Sequence, residues 1–247
     1  MVALGRYSKP LGPMALETPL SGKSAVLSRH AFFEGVSAGI VDRLAMHARE
    51  VRYAAGQAVF RKGDEGQGLF AVLSGAVKLT VPSLDGRELV LRMVGAGEIF
   101  GEVALLDGGP RTADATAAEP CHLLCLDRRG FLAVLKEEPT LAIKLLALLS
   151  DRLRQTSEQV EEITFEHPPV RLARALLRLS RMQGAAGAEP THITITQKEL
   201  GQMVGLSRET TNKCLNEWAL DHRIEIGKGE CTLLDPSFFS KVVDDGS

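Results

Sequence analysis

Cysteine is scarce in this 247-residue chain. It has four, Cys121, Cys125, Cys214 and Cys231, and their spacing makes no disulfide framework. Reduced thiols packed in the core of a cytoplasmic protein are the reading that follows. Cys121 and Cys125 flank His122 on one predicted strand, but a metal or iron–sulfur centre would need further thiols beside them. Long apolar runs are missing as well. A membrane-crossing helix needs ~20 such residues, and the longest candidate, around Leu141–Leu149, is interrupted by Lys144. Arg6 and Lys9 are followed by no apolar stretch with a small-residue cleavage site, so no signal peptide is expected. Charge of one sign is not in excess either: the formal net charge is −2 and the pI about 6.3. Contact with nucleic acid would therefore have to rest on local charge. The histidines His47, His122, His167, His192 and His222 are scattered, without metal-ligand spacing and without a Ser/His/Asp set. Neither an enzyme nor a metal protein is expected. What is present, 45% hydrophobic and 24% charged residues, reads as a soluble globular chain with room for one large domain or two modest ones.

Residues 1–25 are rich in Gly, Pro, Ser and Ala and lack periodicity, which predicts a flexible arm. Ser37 is placed to cap a short helix through His47, with Ile40, Val41 and Leu44 on one face. From Val51 to about Leu126, short β-type runs alternate with glycine turns: Ala58–Arg61, Leu69–Leu73, Ala76–Val81, Glu88–Val94 and His122–Leu126. Turn signals recur at Gly63-Asp64-Glu65-Gly66, Ser74-Gly75, Asp85-Gly86 and Gly95-Ala96-Gly97, and Asp85-Gly86 is a good hairpin signal. This texture predicts a small barrel or jelly roll.

A long helix then starts at Pro139-Thr140 and meets no breaker before His167-Pro168-Pro169. Ala142, Leu146, Leu149, Leu153, Thr156, Val160 and Ile163 follow one another in steps of 4, 3, 4, 3, 4 and 3. Such a heptad seam suits a parallel or antiparallel helix pair; a helix packed on its own domain is the alternative. Thr156 is the polar exception, fixing register or facing something polar. Beyond the proline hinge come a helix over Val170–Met182, a loop over Gly184–Pro190 and a short strand at Ile193–Ile195. Thr196 caps Gln197–Val204, with Glu199 completing a capping box, and Gly205 closes that helix. Ser207 caps Arg208–Leu220. Two helices joined by a glycine-containing turn are a helix-turn-helix signature. Ile224–Ile226, Gly227-Lys228-Gly229 and Cys231–Leu234 form a hairpin wing. The division expected is an arm (1–25), a ligand-binding domain (26–138), a dimerisation helix (139–166) and a winged helix-turn-helix domain (167–247).

Two constellations carry chemistry. The loop Phe100–Ala113 holds Glu102 and Arg111 in a mostly apolar setting. Buried charges pair with each other or with a ligand. A cyclic nucleotide suits both, its phosphate for the arginine and a ribose hydroxyl for the carboxylate. In the second helix of the pair, Arg208, Glu209, Asn212 and Lys213 are exposed at the N-terminal end, where Arg forks onto guanine and Glu accepts from cytosine. A solvated helix face is the alternative, and the preceding helix, turn and wing weigh against it. Residues 168–247 carry ten basic and ten acidic side chains, so binding would lean on specific contacts. Gly95 to Gly101 does not open a crossover helix, which excludes a dinucleotide fingerprint.

With these residues in place the chain resembles the cyclic-AMP receptor protein/FNR family of bacterial transcription regulators over roughly residues 28–240. Gly63–Gly66 leading into Leu69–Val81, the phosphate-binding cassette Phe100–Ala113, and Ile195–Gln202 through Ser207–Thr210 carry the resemblance. It implies an α+β chain: a cyclic-nucleotide-binding β jelly roll, a long dimerisation helix and a C-terminal winged helix-turn-helix. It implies that Glu102 takes the ribose 2′-hydroxyl and Arg111 the cyclic phosphate. The amides of Glu102, Val103 and Ala104 after Gly101 cradle that phosphate, Thr112 adds a hydroxyl, and Ala113 ends the cassette. Leu79, Leu91 and Val103 surround sugar and base, and Thr156 and Ser157 contact the base, one from each subunit. Thr196, Gln197, Ser207, Arg208, Glu209, Thr210, Asn212 and Lys213 are the implied DNA contacts. The implied partners are a palindromic double-stranded operator, a second copy of the chain and RNA polymerase, with no membrane and no cofactor besides the effector. Lys213 stands where the cyclic-AMP receptor protein has a second base-reading arginine, so the fork is lost and the operator can differ. Thr112 replaces that protein's serine and resembles cyclic-GMP-gated channels. Cyclic AMP is the favoured effector on family frequency, cyclic GMP the alternative, and a diverged ligand such as cyclic di-GMP or a redox signal a third. FNR-like iron–sulfur members need an N-terminal cysteine cluster, and this chain has no cysteine before Cys121. A nucleotide-binding adaptor for a protein partner is the reading of a different class.

Overall fold

The computed structural model describes residues 14–16, 20–83, 88–182 and 190–246. The chain divides into two compact units. One holds the residues up to Leu79 together with Met93–Leu145, the other Thr80–Arg92 together with Leu146 onward.

In the first part of the chain β1 (Met14–Leu16), α1 (Leu20–Arg29) and α2 (Ala38–Met46) precede strands β2 (Ala48–Tyr53), β3 (Ala58–Phe60), β4 (Gly68–Ser74), β5 (Val77–Pro82), β6 (Glu88–Val94) and β7 (Ile99–Phe100). Then come α3 (Glu102–Asp107), β8 (Asp114–Ala117), β9 (Cys121–Asp127) and α4 (Arg128–Glu137). The strands form two sheets, ordered β1-β2-β9-β4-β7 and β3-β8-β5-β6. Their inner faces share one apolar core, with Val51, Phe70, Val72 and Leu123 from the first and Val77, Val94 and Ala115 from the second. This is the jelly roll that the glycine-punctuated strands imply. In β9, Cys121, Leu123 and Cys125 face that core, while Leu124 and Leu126 are buried on the opposite face. A strand buried on both sides reads as an unbroken apolar run. All four cysteines are buried free thiols.

Part of the segment expected as an arm is ordered. Residues 20–25 belong to α1, whose Leu27 is fully buried, and residues 14–16 pair antiparallel with β2. One well-buried leucine and a ladder of backbone hydrogen bonds ordered a segment whose composition shows no periodicity. The Asp85-Gly86 turn and most of the 184–190 loop lie outside the described residues. Ser37 takes the N-cap position of α2 without a side-chain hydrogen bond.

Helix α5 runs Pro139–Phe165 and buries only Leu141 and Leu145. The seam side chains Leu146, Leu153 and Val160 are 63%, 69% and 57% exposed in the single chain. Leu149, on the same seam, is half-buried. The C-terminal part comprises α6 (Pro168–Met182), β10 (Thr191–Thr194), α7 (Gln197–Val204), α8 (Arg208–Leu220), β11 (Ile224–Ile226), β12 (Glu230–Leu233) and α9 (Pro236–Asp245). Its sheet is ordered β10-β12-β11. Leu172, Leu176, Leu200, Leu215, Trp218 and Phe239 meet in one core. The capping box is present: the Glu199 amide donates to Thr196 Oγ1 at 3.1 Å and the Thr196 amide to Glu199 Oε2 at 2.9 Å. Helix α9 has no counterpart in the sequence reading. Asp235 caps it and its Phe239 meets Trp218 edge-on at 5.1 Å.

Candidate functional site

The buried cassette is assembled from a glycine turn upward. Gly101 sits at φ +81°, and a Cβ there would stand 2.6 Å from Arg111 Nη1, so both backbone and space demand glycine. It caps α3, whose first amides have no acceptor within the helix. The turn Gly63–Gly66 holds the other half. The Arg111 amide donates to the Asp64 carbonyl, and the Gly63 amide to the Arg111 carbonyl, both at 2.8 Å. A Cβ on Gly66 would collide with Ala104 at 2.1 Å, so this turn also sets where α3 lies. The two glycine motifs that stood apart in the sequence thus form one platform.

Arg111 is 6% exposed and Glu102 3%. The Arg111 guanidinium reaches backbone carbonyls. Nη1 donates to the Gly101 carbonyl at 2.8 Å and Nη2 to the Gly68 carbonyl at 2.7 Å, and Cζ lies 4.2 Å from the Phe60 ring centroid. Its Nε is buried and finds no hydrogen-bond partner among the described residues. Burial lowers the Arg111 pKa, opposed by nearby Cys125, Glu102 and Asp64. An arginine remains cationic even so. The result is a buried charge held in place by neutral oxygens and a ring, with a donor unspent. Such an arrangement suits an anion. Gly68 and Phe60, which fix the guanidinium, were not recognised in the sequence; a glycine and an aromatic in a short strand carry no signal beyond packing.

Of the remaining implied ligand residues, Ala104 and Ala113 are buried, Leu79 packs on the jelly-roll core, and Val103 and Thr112 are exposed. Leu91, Thr156 and Ser157 belong to the second unit and are all exposed within it. The Thr156 hydroxyl donates to the Arg152 carbonyl at 2.8 Å.

Helix α8 turns Thr211, Cys214, Leu215 and Trp218 into its domain core. Arg208, Glu209 and Lys213 are left exposed, and Asn212 is half-buried. Ser207 and Thr210 are committed to the cap, with the Thr210 amide donating to Ser207 Oγ at 3.1 Å. Thr196 serves the capping box of α7, and Gln197 opens that helix half-buried. No helix among the described residues is long and apolar enough to cross a membrane.

A jelly roll with a buried anion-seeking arginine, followed by a winged helix-turn-helix, defines a ligand-controlled DNA-binding protein. Comparison with known proteins gives that class its family. The cyclic nucleotide-binding domain family matches residues 50–138 and the Crp-like helix-turn-helix domain family residues 170–240. The chain is 34% identical to the CRP-like cAMP-activated global transcriptional regulator of Mycobacterium tuberculosis, covering 78% of this chain and 88% of the relative. It is 35% identical to the cyclic AMP receptor protein of Thermus thermophilus, covering 85% and 95%. Among solved structures, the c-di-GMP responsive global regulator CLP of Xanthomonas campestris superposes with a TM-score of 0.73 at 26% identity, over 80% of this chain and 99% of that one. The chain belongs to the CRP/FNR family: it is a cyclic-nucleotide-binding transcription regulator with a DNA-binding helix-turn-helix, and not an enzyme.

Proposed function

We propose that this chain works in the cytoplasm as a homodimer whose binding to a palindromic operator is switched by cyclic AMP. The observation that carries the ligand half is Arg111, buried, cationic, held by two neutral carbonyls and with Nε unspent. A cyclic phosphate at the start of α3 supplies the missing anion, with Glu102 for the ribose and Gly101 to Ala104 as the cradle. Leu79, Leu91 and Val103 would line the sugar and base, and Thr112, with Thr156 and Ser157 from the dimer helices, would read the base edge. The exposed apolar seam of α5 supports the dimer. Arg208, Glu209, Asn212 and Lys213 would read bases, and Thr196, Gln197, Ser207 and Thr210 would set the helices on phosphates. RNA polymerase is the partner that such a regulator must reach.

The named effectors of the two sequence relatives favour cyclic AMP, while the exposed Thr112 keeps cyclic GMP as the second reading and the CLP structure brings cyclic di-GMP into the comparison. Calorimetric titration of the full chain with each of the three decides between them. Cyclic AMP is expected to bind tightest; failure of all three would point to a diverged sensor. An adaptor role for the C-terminal domain predicts instead that Arg208→Ala leaves DNA affinity and sequence preference untouched.

A further inference from the structure

Within the second unit, strand β6 holds the helix-turn-helix at the turn that leads into the recognition helix. Gln202, near the end of α7, donates from Nε2 to Glu88 Oε2 at 3.1 Å. The side chains of Leu89 and Ile163 close on Gly205, where a Cβ would stand 3.5 Å from Leu89 Cδ1 and 3.6 Å from Ile163 Cδ1. The same strand is tied to α5 twice: Gln159 Nε2 donates to the Val90 carbonyl at 3.0 Å and Arg92 Nη1 to Gln155 Oε1 at 3.2 Å. Consecutive residues 88–92 of β6 thus grip α7, the inter-helix turn and α5 together. Neither family resemblance nor sequence pattern assigns Glu88, Leu89 or Gln202 a role.

We infer that Glu88 and Leu89 form an autoinhibitory clamp on the helix-turn-helix, one that must open before DNA is bound tightly. Three observations set its sign. Gly205 precedes the base-facing Arg208 by three residues, so the clamp sits at the end of the recognition helix that enters a groove. Glu88 brings a carboxylate to that end, where phosphates approach and a negative charge repels them. The contacts on Gln202 and Gly205 are a side-chain hydrogen bond and an apolar contact, both of which can break and re-form in a reversible switch. The strand also offers a release. Leu91 lies on the same face of β6 as Leu89, since strand side chains alternate with period two. The clamp rests on the proposed function in one respect: a ligand seated against Leu91 would be what moves it.

The test is equilibrium binding of the full chain to a DNA duplex recovered by selection with wild-type protein, without and with saturating cyclic AMP. The double variant Glu88→Ala/Leu89→Ala is expected to bind DNA about ten-fold more tightly than wild type without nucleotide, within the range of allosteric couplings. Its affinity with nucleotide should match that of the wild type. Its thermal unfolding shows whether it is folded. The variant Glu88→Cys/Gln202→Cys gives the converse: bridging the two thiols with a short bis-maleimide should abolish DNA binding even with nucleotide, while the unbridged variant should bind. A folded double variant with unchanged or weaker nucleotide-free affinity, or a cross-linked protein that binds DNA like wild type, overturns the clamp. If cyclic AMP leaves wild-type DNA affinity unchanged, the proposed control by cyclic AMP fails, while the nucleotide-free comparison still decides the clamp.

Discussion

Arg111→Ala should lose cyclic AMP while keeping its fold. Removing one partner of a buried, hydrogen-bonded charge pair costs about 2–5 kcal/mol of binding, which is roughly 30-fold to a few thousand-fold in affinity. The loss to the free protein is much smaller. Among the described residues Arg111 donates there to the Gly101 and Gly68 carbonyls, and its burial already works against its charge. Binding and stability should therefore separate: calorimetry with cyclic AMP goes flat while the unfolding temperature barely moves. Arg111→Lys is expected to fail almost as badly, because the planar fork that meets both carbonyls and a phosphate cannot be rebuilt with an ammonium. Nucleotide affinity near that of the wild type in Arg111→Ala would remove the arginine from the site and with it the basis of the ligand assignment.

Leu153→Glu should break the dimer. Leu146, Leu153 and Val160 stand mostly exposed along one line of α5, and a pair of such helices would bury each against its counterpart. Burying a side chain of this kind contributes about 1.5–3 kcal/mol. A glutamate at Leu153 replaces that gain with a carboxylate forced from water in both subunits. Sedimentation should show a dimer for wild type and a monomer for the variant at the same micromolar concentration, and DNA affinity should fall because one recognition helix is left to hold one half-site. A variant that still sediments as a dimer would place the subunit contact elsewhere.

Much of this organisation can be read from residues alone, and what could not be read has physical causes. Helices α7 and α8 lie where their caps put them, because the Thr196 and Ser207 side chains each accept from an amide of the first turn and Gly205 takes the left-handed backbone that closes α7; β6 and β11 lie on the runs expected of them. Strand β8, Asp-Ala-Thr-Ala, has little β character of its own and is ordered by burial of Ala115 and Ala117 in the shared core. Helix α3 is six residues long between two left-handed glycines and looks like a turn until its packing on Gly66 is known. Helix α9 follows the last wing strand with no periodic run long enough to announce it, and Phe239 against Trp218 is what seats it. For the site, Glu102 and Arg111 were legible because two charges in an apolar loop need an explanation. The Gly68 and Gly101 carbonyls that hold the guanidinium were not, since a backbone acceptor leaves no mark in a sequence.

Nucleotide at the Arg111 cassette is proposed to control DNA binding by α8. The most direct measurement of that control is the affinity of wild-type dimer for a selected palindromic duplex, titrated without and with saturating cyclic AMP at fixed salt. Cyclic AMP is expected to tighten DNA binding by about 5- to 150-fold, as coupled sites show, and DNA to raise cyclic AMP affinity by the same factor. Equal DNA affinity in the two titrations, with cyclic AMP demonstrably bound, would contradict it.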